Sequence, residues 1–161
     1  MRTFVDKEGR NWQVSVTVST IKRVRGICKV DLNSIVEVDD DNNLNTSLLN
    51  RLTDDPVLLV DVLYAVCKPE ADKLGVTDEQ FGEAMVGDVI ANATAALLDE
   101  IVDFFPGTKR LAMQKILHAV RRFETATRQK LEEMDEKFEN ELVSVMEKSI
   151  GSSTGAPDSA E

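Results

Sequence analysis

Few groups of residues in this chain have the types and spacing that chemistry requires. Asp39, Asp41 and Asn43 have the one-three-five spacing of an EF-hand calcium loop. The sixth place, however, is Leu44, where such a loop needs glycine, and the twelfth is Asn50, where it needs a bidentate glutamate. A solvated polar turn is the expectation. His118, the one histidine, lies among Ile116, Leu117 and Val120 with no cysteine or carboxylate at metal-ligand spacing. It has no evident nucleophile beside it, so it reads as a helix-surface or interface residue. Gly82 and Gly87 fall within or between helices, and no Gly-Lys-Ser follows to make a phosphate loop. Asn45-Thr46-Ser47 and Asn92-Ala93-Thr94 match the glycosylation pattern by letter only. The residues therefore predict no catalytic group, no cofactor and no metal, and a role in binding.

Charge narrows the binding classes. The formal net charge of -10 repels phosphate, which argues against a general nucleic-acid binder. The basic run from Lys109 to Lys130 is the local exception, but its only interleaved aromatic is Phe123 and an acidic stretch follows directly, so no nucleic-acid contact is expected. No uninterrupted apolar run reaches the roughly 18 residues of a membrane span, so no membrane contact is expected. The opening MRTFVDKEGR has no apolar run behind it, which predicts a cytosolic chain whose Cys28 and Cys67 stay reduced.

The elements that must position any site begin with a hairpin. Thr3-Phe4-Val5, a turn at Asp6 to Gly9, and the alternation of Trp12, Val14, Val16 and Val18 read as two paired strands. Ser19 as N-cap predicts a helix from Thr20 to about Val30, with Ile21, Val24 and Cys28 inward, Ile27 beside them, and Lys22, Arg23, Arg25 and Lys29 outward. Val36-Glu37-Val38 suits a short third strand, and a short helix carries Leu44, Leu48, Leu49 and Leu52. Asp55-Pro56 is a helix start whose apolar residues from Val57 to Cys67 cover nearly the whole circumference, the mark of a central helix. Lys68-Pro69-Glu70 should break or kink it. Thr77 and Gln80 fit a capping box opening a helix through Phe81 and Met85. A second central helix from Asp88 to Phe105 places Ile90, Ala93, Leu97, Ile101 and Phe104 on one side, widened by Val89, Leu98, Val102 and Phe105.

After the breaker Pro106-Gly107, nothing interrupts the chain from Thr108 to Ser149. The early part of this long helix is basic and the later part acidic. Val120, Thr127, Leu131, Met134, Phe138 and Val145 form a three-four spaced seam, interrupted by Glu124 and Glu141, with Leu142 just beside it. A stripe this narrow suits docking against one partner helix, or partial order when alone; a homo-oligomer joined by the same seam is the alternative. The expected organisation is a mainly α, α+β chain. A hairpin packs on a helical core domain over residues 1–106, a long charged amphipathic helix spans 107–150, and a disordered tail spans 151–161.

The hairpin opening TFVDKEGRNWQVSVTVSTIKRVR, the block DPVLLVDVLYAVCKPEADKLGVTDEQFGEAM and the closing LLDEIVDFFP together resemble small proteins encoded in tail-gene clusters of bacteriophages and prophages, of the tail assembly chaperone type. The likeness covers roughly residues 2 to 110 and rests on hydrophobicity and punctuation. It implies an adaptor of the bacterial host cytoplasm that binds the long, helical tape-measure protein, keeps it soluble, helps recruit tail-tube subunits, and leaves before the particle is complete. In such families a longer product often arises by frameshifting. The family has no fixed functional residues to carry over, and the long charged helix departs from its pattern.

Overall fold

The computed structural model describes residues 1–38 and 43–151. It is mainly helical, with a two-stranded antiparallel hairpin at the start and a long helix at the end. β1 (Arg2–Val5) pairs with β2 (Asn11–Val14), with Phe4 opposite Trp12. The helices α1 (Val18–Cys28), α2 (Ser47–Asp54), α3 (Pro56–Leu74), α4 (Asp78–Glu83) and α5 (Asp88–Phe104) follow, and α6 runs from Gly107 to Gly151. Between α1 and α2 lie a single 3-10 turn, Leu32–Ser34, and a minimal antiparallel pair, β3 (Glu37–Val38) with β4 (Leu44–Asn45). Contacts divide the chain into two compact units, Met1–Gln114 and Lys115–Glu161.

The first unit is built around α3, which packs against α1, α2, α4, α5 and β2, while β1 lies along α5. Two strands alone are marginal in water. This pair holds because its turn is tied down from several sides. Asp6 is buried, and its carboxylate accepts from the indole Nε1 of Trp12 at 2.8 Å, from Arg10 Nε at 2.7 Å, and from the backbone amides of Glu8 and Arg10 at 2.9 Å each. Burial alone would raise its pKa; the bonds from Trp12 and Arg10 outweigh it and hold the carboxyl below its ordinary value. Lys7 N donates to Ala84 O at 3.2 Å, fixing the turn to the end of α4.

Phe81 is the hub beneath the hairpin. Its ring meets Trp12 edge-on at 4.9 Å between centroids, Tyr64 at 5.5 Å and Phe4 at 6.5 Å. The capping box places it there: Thr77 Oγ1 accepts from Gln80 N and Gln80 Oε1 accepts from Thr77 N, so α4 starts in one defined register. The Asp55 cap is equally literal, with its Oδ1 accepting from Val57 N and Leu58 N.

Several expectations need correction. The cap of α1 is Thr17, whose hydroxyl accepts from Thr20 N, so the helix starts two residues before Thr20 and Val18 turns out to solvent at 60% exposure. Ile27 is exposed, and Arg23 is partly buried with its guanidinium engaged. Leu44 belongs to β4 rather than α2 and is exposed. α3 continues through Pro69 as far as Leu74, where Gly75 accepts the left-handed turn at φ 66°.

The passage through Pro69 has a physical reason. Proline has no N–H, so the carbonyl four residues back, that of Ala65, loses its helical donor. Arg23 of α1 supplies one instead: its Nε donates to Ala65 O at 2.5 Å and its Nη2 to Val66 O at 3.0 Å. A side chain expected to face water thus repairs the central helix.

Candidate functional site

Among the described residues, the groups singled out for chemistry do not converge. Cys28 is half-buried on α1 and Cys67 buried on α3, both as free thiols. Burial pushes the Cys67 thiol up to about 12, with Glu70 adding to the rise, so it stays protonated and inert. Burial also raises Cys28, with Asp61 adding to it. His118 is exposed on α6, where it borders a shallow depression with Arg121, Arg122 and Gln129 on the same helix. Asp39 and Asp41 lie outside the described residues. Among the described residues, no three His, Cys, Asp or Glu side chains come together in a way that could hold a metal ion.

One polar cleft of about 280 Å³ opens between the hairpin, α1 and α3, lined in part by Gln13, Thr17, Thr20, Arg23, Glu70 and Lys73. Three of its polar side chains are committed to the fold. Thr20 Oγ1 donates to Ser15 O at 3.0 Å, Thr17 Oγ1 serves the α1 cap, and the Arg23 guanidinium holds the Ala65 and Val66 carbonyls. Glu100, which no motif or spacing in the sequence singles out, is a buried carboxylate on α5. It accepts from Arg2 Nη1 at 3.1 Å and lies 2.6 Å from the amino nitrogen of Met1. Arg2 also reaches Asp103 at 2.7 Å and Asp99 at 3.4 Å, so this cluster fastens β1 to α5. Among the described residues, no buried side-chain nitrogen or oxygen lacks a hydrogen-bond partner.

The surface of α6 contrasts with this. Its first turns belong to the first unit: Met113 is buried, Lys109 stands over the Phe105 ring at 4.1 Å, and Arg110 Nε donates to Phe105 O at 2.9 Å. Every residue from His118 to Ile150 is exposed. Along this length Val120 is 37% exposed, Leu131 58%, Met134 64%, Phe138 63% and Val145 64%, with Thr127 exposed in the same row. An α-helix turns about 100° per residue, so residues alternately three and four apart return to one side. The six seam residues therefore lie in one row along α6, interrupted at Glu124 and Glu141.

The charges have an arrangement that counting along the chain did not reveal. Written as a heptad with Leu131 and Phe138 at a and Met134 at d, the flanking e and g places hold Arg121, Arg128, Lys130 and Lys137, against the single acid Asp135. Glu132, Glu133, Glu136, Glu139 and Glu147 fall on the other side of the helix. The seam is bordered by cations although the later half of α6 is acidic overall. Stripes of this size on single helices are rare on surfaces that stay in water, because most helical stability comes from covering an apolar face.

Comparison with protein-family models, with curated proteins and with solved structures gave no match to this chain. Among the described residues, no helix is long and apolar enough to cross a membrane.

Proposed function

We propose that this chain is a non-enzymatic adaptor that binds a helical partner through α6, and that it serves as a tail assembly chaperone for a phage or prophage tape-measure protein. One observation supports the binding role most: the stripe of Val120, Thr127, Leu131, Met134, Phe138 and Val145 is exposed along α6, while the unit Met1–Gln114 has its own core. A helix laid into such a stripe is a recurrent way of recognising amphipathic segments. The identity of the partner comes from the resemblance in the hairpin and central helices, which points to the tape-measure protein, with tail-tube subunits recruited in turn, in the cytoplasm of the host.

Burying Leu131, Met134 and Phe138 would remove roughly 300 Å² of apolar surface, on the order of 7 kcal/mol before costs. Ordering and association take back much of this, leaving the reversible attachment that an assembly chaperone requires. Co-expression with the tape-measure protein is the test. Soluble tape-measure protein only when the chain is present supports the reading; equal insolubility with and without it refutes it.

A second reading places the chain in the finished particle, either as a structural component or as a homo-oligomer joined by the same stripe. The exposed stripe serves that reading equally well. Mass spectrometry of purified particles separates the two, since a chaperone is absent from them.

A further inference from the structure

We propose that the α6 stripe selects a helix whose own apolar stripe is bordered by carboxylates, and that it disfavours a second copy of this chain. This deepens the adaptor reading and rests on it for the existence of a partner. The argument is one of position around the helix. Residues at e and g lie beside the apolar contact in any two-helix packing, so their charges meet the partner's flanks, whereas charges at b, c and f face water. On α6 the flanks carry Arg121, Arg128, Lys130 and Lys137 with Asp135 alone opposing them, and the glutamates lie at b, c and f apart from Glu124 and Glu141 within the stripe.

A second copy brings like charges together inside the stripe. In an antiparallel pair that sets Leu131 against Met134, the g places put Lys130 beside the other copy's Lys137 and the e places put Arg128 beside its Asp135, so the flanks offset one another. Glu124 meets Glu141 inside the stripe with nothing to compensate it. A parallel pair brings Lys130 beside the other copy's Asp135 on the flank, but sets Glu124 and Glu141 each against its own counterpart inside the stripe. Like charges at such places discriminate against the wrong partner. A helix with glutamates or aspartates on its flanks meets Arg128, Lys130 and Lys137 favourably. A cation in its stripe opposite Glu124 and another opposite Glu141 would fix its register.

The full-length chain is titrated with two synthetic helical peptides that share one leucine stripe and differ only at their flanks, glutamate in one and lysine in the other. Tighter binding of the glutamate-flanked peptide, by about ten-fold at low salt and less at high salt, is the expected result, since several screened pairs each contribute modestly. The triple variant Arg128→Glu, Lys130→Glu, Lys137→Glu should reverse the order, with its circular dichroism and thermal transition matching the parent chain. Equal binding of both peptides, or preference for lysine flanks, overturns the charge selection while leaving the stripe as a docking surface. If neither peptide binds better to the parent chain than to Leu131→Asp/Phe138→Asp, both the selection and the adaptor reading fall. A stable dimer of the free chain by sedimentation, dissociated by the same double substitution, assigns the stripe to a second copy and overturns the proposal.

Discussion

The unit around α3 and the exposed length of α6 are both helical and both rich in apolar residues, yet they use them in opposite ways. Around α3 the apolar side chains close over one another, and Asp6 and Glu100, the acids that had to go inside, are bonded on arrival. Beyond His118, Leu131, Met134 and Phe138 lie open, in a helix whose backbone is satisfied by its own turns. Burial depends on what surrounds a stripe as much as on the stripe itself. A helix packed on many sides becomes a core, and one exposed along its length keeps its apolar stripe on the surface.

Substitutions should separate the two regions sharply. Phe81→Ala removes the ring on which Trp12, Tyr64 and Phe4 converge, and is expected to cost about 3–5 kcal/mol, read as a lowered urea midpoint. A small loss would mean that the hub is not where the unit keeps its stability. Asp6→Ala leaves the Trp12 indole N–H and the turn amides without their acceptor, at about 3 kcal/mol in the same measurement.

The native pKa of Asp6 lies below its unfolded value of about 3.9, so its contribution is complete above that value and is lost as pH falls through the lower native one. Acid unfolding should therefore begin below about pH 4, and the Asp6→Ala chain should lose that part of the pH dependence.

Arg23→Ala should cost about 1–2 kcal/mol, and less in a Pro69→Ala background, where the restored amide serves Ala65 O. Equal costs in both backgrounds would show that the arginine acts elsewhere. Leu131→Asp with Phe138→Asp should change the stability of the first unit by less than about 0.5 kcal/mol while abolishing partner binding. Unfolding of the whole chain by that pair would erase the distinction between the regions.

Much of this was readable from local rules. The Asp55-Pro56 start, the Thr77–Gln80 box, the hairpin and the uninterrupted final helix each depend on neighbours within a few residues, and they stand as expected. What sequence order concealed was action at a distance. Pro69 reads as a break until Arg23, forty-six positions earlier (69 − 23), is seen to occupy the carbonyl it frees. No local pattern marks Glu100 until Arg2 folds back onto it. Ser19 reads as a cap because the period-two alternation of Val14, Val16 and Val18 runs through Thr17, which is the actual cap. The seam residues could be listed from their spacing, but the sign of their borders needed the helix wheel, since tallying charges along α6 mixes its two sides.

The repair of α3 by α1 has a consequence for how the chain is made. During synthesis residues 18–28 leave the ribosome well before Pro69 does, so the guanidinium that α3 needs is already waiting when the proline emerges. The two helices should then acquire protection from hydrogen exchange together, as one cooperative segment, with the half of α3 beyond Pro69 loosening whenever α1 detaches.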